Sequence, residues 1–263
     1  MNGLRLYGRM IALSIREQMQ YRASFAMVTI GNALGAFIEF LGIWAFFGRF
    51  GSLAGWTFAE AGMFFGMGNI AFALCEMFMR EFDMFSRQVR TGEFDRILLR
   101  PRSTVLQMLG AQCQLLRLGR LLQGAVVLGV SLVGMQVAWG LDRWLLLVLS
   151  ILGGALMFSA MIVLQATSCF WTIESLEVWN CITYGGVQAI QYPVDIYQKP
   201  LRFFFSYIVP LAAMNYWPSA YLLDRGYVSP WLSWLSPAVG LACFLGALCI
   251  WHFGVRHYRS AGS

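Results

Sequence analysis

The sequence carries little charge. Asp, Glu, Lys and Arg together make up 12% of its 263 residues, whereas a soluble domain usually has about 25%. Hydrophobic residues make up 59% of the chain, and the mean hydropathy is +0.62. Such a chain has too little polar surface to cover a soluble globule, so we expect lipid as its main solvent. The length suits a single membrane domain over residues 1–263, with no room for a sizeable soluble domain.

Lysine and histidine are almost absent, which excludes several kinds of site. An ATP-binding P-loop has the pattern G-x-x-x-x-G-K-[ST], in which the lysine reaches the phosphates. The sole lysine, Lys199, lies between Gln198 and Pro200, so no such loop exists. His252 and His257 are isolated, the six cysteines form no C-x-x-C pair, and neither G-x-S-x-G nor H-E-x-x-H occurs. We predict that the chain is not an enzyme and has no catalytic residue, cofactor or metal site. Any energy input must come from a partner or an ion gradient.

Long hydrophobic runs, in contrast, are abundant. A spanning helix needs about 20 largely apolar residues, and we predict an all-α integral membrane protein with six spans. Their approximate bounds are 25–47, 58–79, 121–139, 144–170, 178–190 and 231–253. Before them, arginines alternate with apolar residues over 3–22. This pattern predicts an amphipathic elbow helix that lies in the membrane interface within residues 1–24.

Proline is concentrated in one part of the chain. Four prolines interrupt residues 192–220: Pro193, Pro200, Pro210 and Pro218. Proline removes a backbone donor and breaks helices, and broken helix at membrane depth is tolerated only where protein or a watery cavity covers it. We therefore predict that residues 192–223 form a pair of re-entrant half-helices on the outer side, before the sixth span.

The uneven distribution of basic residues predicts the orientation in the membrane, because cytoplasmic loops carry an excess of Lys and Arg. Fourteen of the 19 basic residues lie before the first span, between the second and third, or after the last: Arg5, Arg9, Arg16, Arg22, Arg80, Arg87, Arg90, Arg96, Arg100, Arg102, Arg117, Arg120, Arg256 and Arg259. The other five are Arg49, Arg143, Lys199, Arg202 and Arg225. We predict a bacterial or archaeal cytoplasmic membrane protein with both termini and residues 80–120 in the cytoplasm.

The charged stretch after the second span has the pattern of two short helices. Phe82 and Phe85 recur at helical spacing, and Asp83 is placed to pair with Arg87 one turn later. Thr91-Gly92 then predicts a break in the helix.

A second short helix is predicted beyond the break. It begins with the acidic Glu93 and Asp95, which are favourable at a helix N-terminus, and it ends before Pro101. The stretch is either an ordinary solvated loop or a docking element for a soluble partner.

The run from Arg90 to Pro101 reads R-T-G-E-F-D-R-I-L-L-R-P. It resembles the R-x-G-E-L-D-x-x-L-L-R-P signature of a permease family within the ABC-2 class of ATP-binding-cassette (ABC) exporters, with Phe94 where leucine is usual. Looser similarities follow in the same order along the chain, at residues 20–25, 170–172, 192–197 and 210–218. The resemblance therefore covers nearly the whole chain.

This resemblance implies a permease subunit that forms a substrate path with a second permease, the same or homologous, above two separate ABC ATPase subunits. ATP and Mg would be bound by the ATPase, and membrane lipid, but no nucleic acid, is a further expected partner. The connection between spans two and three would be the coupling helix that meets the ATPase. Its expected polar contacts are Arg90, Glu93, Asp95, Arg96 and Arg100. Gly92 at the corner and Pro101 at the far end complete the set of coupling residues. We expect Phe82, Phe85 and Phe94 to supply apolar anchors for the same partner.

Three glutamates fall within or near the predicted spans, where acids are costly and default to functional candidates. Glu39 is the deepest and is predicted to line the path or to pair with an arginine of the partner subunit. Glu60 and Glu76 are expected at the membrane interfaces. A rival hypothesis is a proton-coupled secondary transporter or channel that uses Glu39 and Glu76, although the chain lacks the internal repeats of secondary transporters.

Small and aromatic residues complete the candidates for the path and the subunit interface. Small residues four apart let helices approach closely, and two such pairs of glycines fall within the predicted spans: Gly31 with Gly35, and Gly62 with Gly66. In the proline-rich segment, Tyr197 and Trp217 are the candidate residues of an outer gate. The substrate stays open among lipids, glycolipids and amphipathic drugs.

Overall fold

The computed structural model describes residues 3–135, 137–172 and 176–258, so Arg259 and the first two residues of the predicted elbow lie outside it. The described part of the chain contains helices and no β-strand. The α-helices are α1 (Gly3–Gln18), α2 (Arg22–Phe50), α3 (Phe58–Asp83), α4 (Phe85–Arg90), α5 (Glu93–Leu98), α6 (Thr104–Ala111), α7 (Leu118–Gly134), α8 (Leu141–Ser168), α9 (Leu176–Ile190), α10 (Lys199–Phe203), α11 (Tyr216–Leu222) and α12 (Pro230–His257).

Five helical segments of the described residues are long and apolar enough to cross a membrane: Tyr7–Phe50, Phe58–Arg90, Leu115–Gly134, Leu141–Ser168 and Pro230–His257. The predicted multi-span helical membrane protein is therefore confirmed. The predicted fifth span corresponds to α9, whose 15 residues fall short of the roughly 20 that a full crossing needs.

Helix α3 is the centre of the bundle and packs against α7 and α8. Its contact with α7 is made through glycines, since a Cβ at Gly66 would lie 2.7 Å from the Leu128 Cβ, and a Cβ at Gly62 would collide with Ser131. The hypothesis that Gly62 and Gly66 mark a subunit interface is therefore wrong. These two residues let two helices of the same chain approach closely.

Helices α8 and α12 form the other close pair. A Cβ at Gly153 would lie 2.8 Å from the Pro237 Cα, and a Cβ at Gly240 would collide with the Gly153 carbonyl. Pro237 lies inside α12 and cannot donate to the carbonyl four residues earlier. The Ser236 hydroxyl donates to that carbonyl, on Ser233, at 2.7 Å. A neighbouring serine thus supplies the hydrogen bond that the proline removes.

One end of the bundle, the α4–α6 end, gathers α1, the residues between α3 and α7, and the C-terminal half of α12. The backbone N–H of Cys113 donates to Ser14 of α1 at 3.0 Å, and that of Leu115 donates to Gln18 at 3.0 Å. At the same end, Trp251 of α12 packs its ring 4.9 Å from that of Phe82.

The opposite end, the α10–α11 end, is tied together by charged and polar pairs. Arg225 contacts Glu60 at 2.7 Å, and Arg143 contacts Asp224 at 2.7 Å. Glu60 also completes a capping box with Thr57 at the start of α3. The expectation of an interfacial Glu60 is thus refined to a helix-capping residue that also binds the segment before α12.

The proline-rich segment runs between this end and the middle of the bundle. Asp195 accepts a hydrogen bond from the Trp56 indole at 3.2 Å, beside the start of α3. Further along, Met214 lies beside Gly154, in the middle of α8. The Asn215 amide donates to the Ile190 carbonyl at the end of α9. The segment then passes close to the start of α8, where Asp224 pairs with Arg143.

Candidate functional site

A buried aromatic cluster supports the α4–α5 helix pair. Phe82, Phe85 and Phe94 are exposed by only 1%, 0% and 0%, and they pack around Trp251 and Phe170. The Phe85 ring lies 4.8 Å from Phe94 and 4.9 Å from Trp251. The prediction that Phe82, Phe85 and Phe94 anchor a partner is therefore wrong. Their apolar side is covered by α8 and α12 of the same chain.

The turn between α4 and α5 forms where the sequence predicts it. Helix α4 ends at Arg90, and Gly92 adopts a left-handed φ of 68°, which glycine allows without steric cost. The Thr91 hydroxyl donates to the Arg87 carbonyl at 3.1 Å and closes the last turn. The predicted Asp83–Arg87 pair is wrong because α3 ends at Asp83. Asp83 pairs instead with Arg80 at 2.8 Å.

Two polar side chains hold the loop after α5. Gln107 of α6 is buried and donates to the Ile97 carbonyl at 3.2 Å and to the Arg102 carbonyl at 3.1 Å. The Trp251 indole donates to Thr104 at 3.1 Å. The position of the loop is thus set by α6 and α12 together.

The residues predicted to bind the ATPase belong to the α4–α5 pair and the loop after α5. Their exposure differs: Arg90, Glu93, Arg96, Arg100 and Pro101 are exposed, while Gly92 and Asp95 are half-buried. Sequence reasoning missed an apolar part of this region, because Leu98 and Leu99 are 39% and 84% exposed. The adjacent leucines before Arg100 were the available signal. We call Arg90, Glu93, Arg96, Leu98, Leu99 and Arg100 the α5 surface.

Behind the α5 surface, a buried ion-pair cluster joins α3 to the start of α7. Glu76 is 7% exposed and contacts Arg117 at 3.1 Å and Arg120 at 3.3 Å. Arg120 also lies 5.4 Å above the Phe72 ring. The expectation of an interfacial Glu76 is thus refined to a buried residue of an ion-pair cluster. Arg117 and Arg120 look like loop residues in the sequence, but their side chains contact α3 and neutralise the charge of Glu76.

An open cavity of about 660 Å³ lies at the α10–α11 end. Lys199 and Arg202 of α10 line it together with aromatic side chains that include Trp217 and Tyr227. Burial raises the pKa of the Tyr227 hydroxyl, which donates to the Tyr216 carbonyl at 2.9 Å. The cavity therefore combines two cations with an aromatic, uncharged wall.

The predicted path residue Tyr197 lies apart from Trp217. Its hydroxyl donates to the Ala189 carbonyl at 3.0 Å, so its side chain packs against the end of α9. Trp217 is half-buried and lines the open cavity. The structure places both residues at the α10–α11 end but assigns them different surroundings.

The other predicted path or interface residues share the outward side of α2. Gly31, Gly35 and Glu39 recur every four residues and are all exposed, and a Cβ on either glycine would meet nothing within 4 Å. Beside them, an apolar groove of about 550 Å³ runs between α2 and α7. The structure therefore groups these three residues on one helix, whereas Tyr197 and Trp217 belong to the proline-rich segment.

Comparison with known proteins identifies the family. A family model described as "ABC-2 family transporter protein" matches residues 33–262. No curated protein and no solved structure matches the chain. The match covers most of the sequence, including the α5 surface, the Glu76 cluster and the proline-rich segment. The chain belongs to the ABC-2 family of transporter proteins.

Proposed function

We propose that this chain is the membrane-spanning permease subunit of an ABC exporter and that a separate ABC ATPase drives it through the α5 surface. The observation that carries the proposal is the α4–α5 pair itself. It presents charged residues and the exposed Leu99 outward, while its inner side is fixed on the buried aromatic cluster. Protein–protein interfaces combine an apolar centre with a polar rim, and the exposed Leu98 and Leu99 beside charged side chains fit that arrangement.

The support beneath the α5 surface explains how a docked partner would move the membrane helices. Phe94 of α5 touches Phe85, Phe170 and Trp251, which belong to α4, the end of α8 and α12. Close-packed interiors have low compressibility and transmit displacement. A force on α5 therefore reaches α3, α8 and α12 without passing through a flexible loop.

Two leucines at opposite ends of the bundle test the docking site. Leu99 and Leu141 are 84% and 87% exposed, so aspartate at either position leaves the core intact. Each variant is co-expressed with ABC ATPase subunits from the same genome, and the purified complex is assayed for bound ATPase and for ATP hydrolysis. We expect Leu99→Asp to lose the ATPase and Leu141→Asp to retain it. Equal retention by both variants would exclude the α5 surface, and failure of the unsubstituted chain to bind any ATPase would exclude the function.

For the topology, the proposal is six crossings with both termini on the cytoplasmic side. The helices alternate in direction between the two ends, and α1, the α4–α6 segment and the end of α12 all gather at one end. Within the described residues, that end carries 13 of the 19 basic residues of the sequence. In this arrangement α9 is a short fifth crossing, α1 is the interfacial elbow, and α10 and α11 are the two arms of a re-entrant segment.

Reporter fusions test this arrangement. A reporter placed after Ser263 should register in the cytoplasm, and one inserted at Gly226, in the turn before α12, should register outside. A cytoplasmic signal at both positions would remove α12 as a crossing and contradict the topology.

The outward side of α2 is the proposed contact for a second permease subunit. Gly31 and Gly35 leave this side flat enough for close approach of another helix, and Glu39 then needs a polar partner there. The rival proton-coupled function is disfavoured because Glu39 is exposed on the outward side of α2, whereas Glu76 is buried in α3. Glu76 is already neutralised by Arg117 and Arg120.

A further inference from the structure

The cavity at the α10–α11 end contains two positive charges that no carboxylate in the described part of the chain balances. Lys199 and Arg202 lie three residues apart on α10 and line the same space. Within the described residues, neither has a carboxylate partner, whereas Arg143 and Arg225 at the same end are both ion-paired. The nearby Asp195 accepts from the Trp56 indole instead. An anionic ligand group is the natural complement of the two free cations.

The remaining wall is apolar and aromatic. Phe203, Tyr207, Trp217 and Tyr227 line the cavity, and no acidic residue is among the side chains around it. Tyr227 is held in place by its hydrogen bonds to Ser219 and to the Tyr216 carbonyl, so this side is preformed. Its volume of about 660 Å³ falls within the range of small-molecule sites, roughly 300–1,000 Å³. A ligand here needs an apolar body as well as a charge.

We propose that this cavity binds an anionic amphiphile as the exported substrate, which rests on the export function proposed above. The anionic group, a phosphate or a carboxylate, is bound by Lys199 and Arg202, because guanidinium presents two parallel donors to such groups. The apolar body lies against Trp217 and its aromatic neighbours.

Binding is tested on the purified full chain in nanodiscs of zwitterionic lipid, with radiolabelled dodecyl phosphate as the probe and empty nanodiscs as background. Replacing both cations, in Lys199→Gln/Arg202→Gln, should weaken binding at least about tenfold, because one charge-assisted hydrogen bond is worth about that factor. Arg49→Gln removes an exposed cation at the same end outside the cavity and should leave binding unchanged. Lys199→Arg keeps the charge and should bind as the natural chain does.

Competition distinguishes the chemistry of the ligand. Unlabelled dodecyl phosphate should displace the probe, while dodecylphosphocholine, dodecyl maltoside and inorganic phosphate should be weak competitors. Equal displacement by dodecyl maltoside would show that the cations do not select the ligand. Equal displacement by inorganic phosphate would show that the aromatic wall does not. Either result overturns the proposal, as does unaltered binding by the double glutamine variant.

The substrate role is tested in the assembled complex with its ATPase. Dodecyl phosphate should stimulate ATP hydrolysis in the natural complex and in the Arg49→Gln complex, but not in the Lys199→Gln/Arg202→Gln complex. Absence of any coupled hydrolysis contradicts the export function. Normal basal hydrolysis without stimulation contradicts only the substrate assignment.

Discussion

The first two long helices, α2 and α3, are both apolar enough to span a membrane, yet they have opposite roles in the fold. Of the most apolar 18 residues in each segment, 6% are buried in the α2 segment and 83% in the α3 segment. Helix α3 contacts α7, α8 and α9, whereas α2 contacts α7 along part of its length and α3 near its end. Hydrophobicity therefore fixes insertion into lipid but not which helix becomes the core.

The difference between the two helices lies in their small and polar residues. Glycines of α3 face α7 and the end of α9, while Gly31, Gly35, Gly42 and Gly48 of α2 face open space. Glu76 of α3 has two arginine partners, while Glu39 of α2 is exposed. On this view α2 carries the same kinds of contact residue as α3, arranged for a partner outside the chain. Four matched pairs of substitutions test it.

The largest contrast is expected for phenylalanine. Phe82→Ala at the end of α3 should lower the free energy of unfolding by about 3–5 kcal/mol, because it opens a cavity in the aromatic cluster. Phe37→Ala on α2, where the side chain is 47% exposed, should change it by about 0.5 kcal/mol or less. Unfolding of the purified chain in mixed micelles with increasing SDS measures both. Similar losses would mean that α2 is packed in the isolated chain.

A second contrast concerns the glutamates. Glu76→Gln leaves Arg117 and Arg120 without their counter-charge and should cost about 3 kcal/mol, as expected when one partner of a buried ion pair is removed. Glu39→Gln should leave the same unfolding curve unchanged and act only on the assembled transporter. A destabilised Glu39→Gln chain would place that carboxylate in a contact within the chain.

A third contrast uses glycine. Gly66→Val places atoms against Leu128 and the Gly124 carbonyl, so it should destabilise the chain by about 1–3 kcal/mol through overpacking. Gly35→Val meets nothing in the chain and should leave its stability unchanged while weakening its pairing with a second permease. Native gel electrophoresis of cross-linked membranes measures the pairing. Unchanged pairing in Gly35→Val would move the subunit interface away from α2.

The smallest contrast concerns the helix starts. Thr57→Ala removes the side-chain cap of α3 and should cost about 1 kcal/mol. At the start of α2, Tyr21 makes no side-chain cap hydrogen bond, so Tyr21→Phe should have no measurable effect. Comparison of the two unfolding midpoints is sufficient, and a larger loss for Tyr21→Phe would contradict the assignment of the caps.

The membrane class, most long helices and the turn at Thr91-Gly92 could be predicted from the sequence, because composition, apolar run length and glycine act locally. The sequence pattern predicts the third span at 121–139, about one turn later than the observed α7 (Leu118–Gly134), because Arg117 and Arg120 resemble loop residues. Their side chains reach Glu76, so the helix tolerates them near its start. A pairing partner more than 40 residues away leaves no local signal.

The wrong assignment of Phe82, Phe85 and Phe94 has a similar cause. Helical spacing shows that these side chains share one apolar side, but not whether that side is covered by the same chain or by another protein. The deciding residue is Trp251, which is distant in sequence and fully buried against them. Leu99 is exposed and Phe94 is buried although both lie in the same signature run, and the pattern alone does not distinguish them. Only tertiary packing decides whether an apolar residue is covered by its own chain or left exposed for a partner, and the sequence pattern does not contain that information.

The position of Trp251 also sets an order for biosynthesis. The ribosome makes Phe82, Phe85 and Phe94 well before it makes Trp251, and the aromatic cluster has no centre until α12 has entered the membrane. A nascent chain that ends between α8 and α12 therefore presents an α5 surface without its support. For the proposed ATPase, a finished docking surface then exists only on a chain whose translation has passed α12.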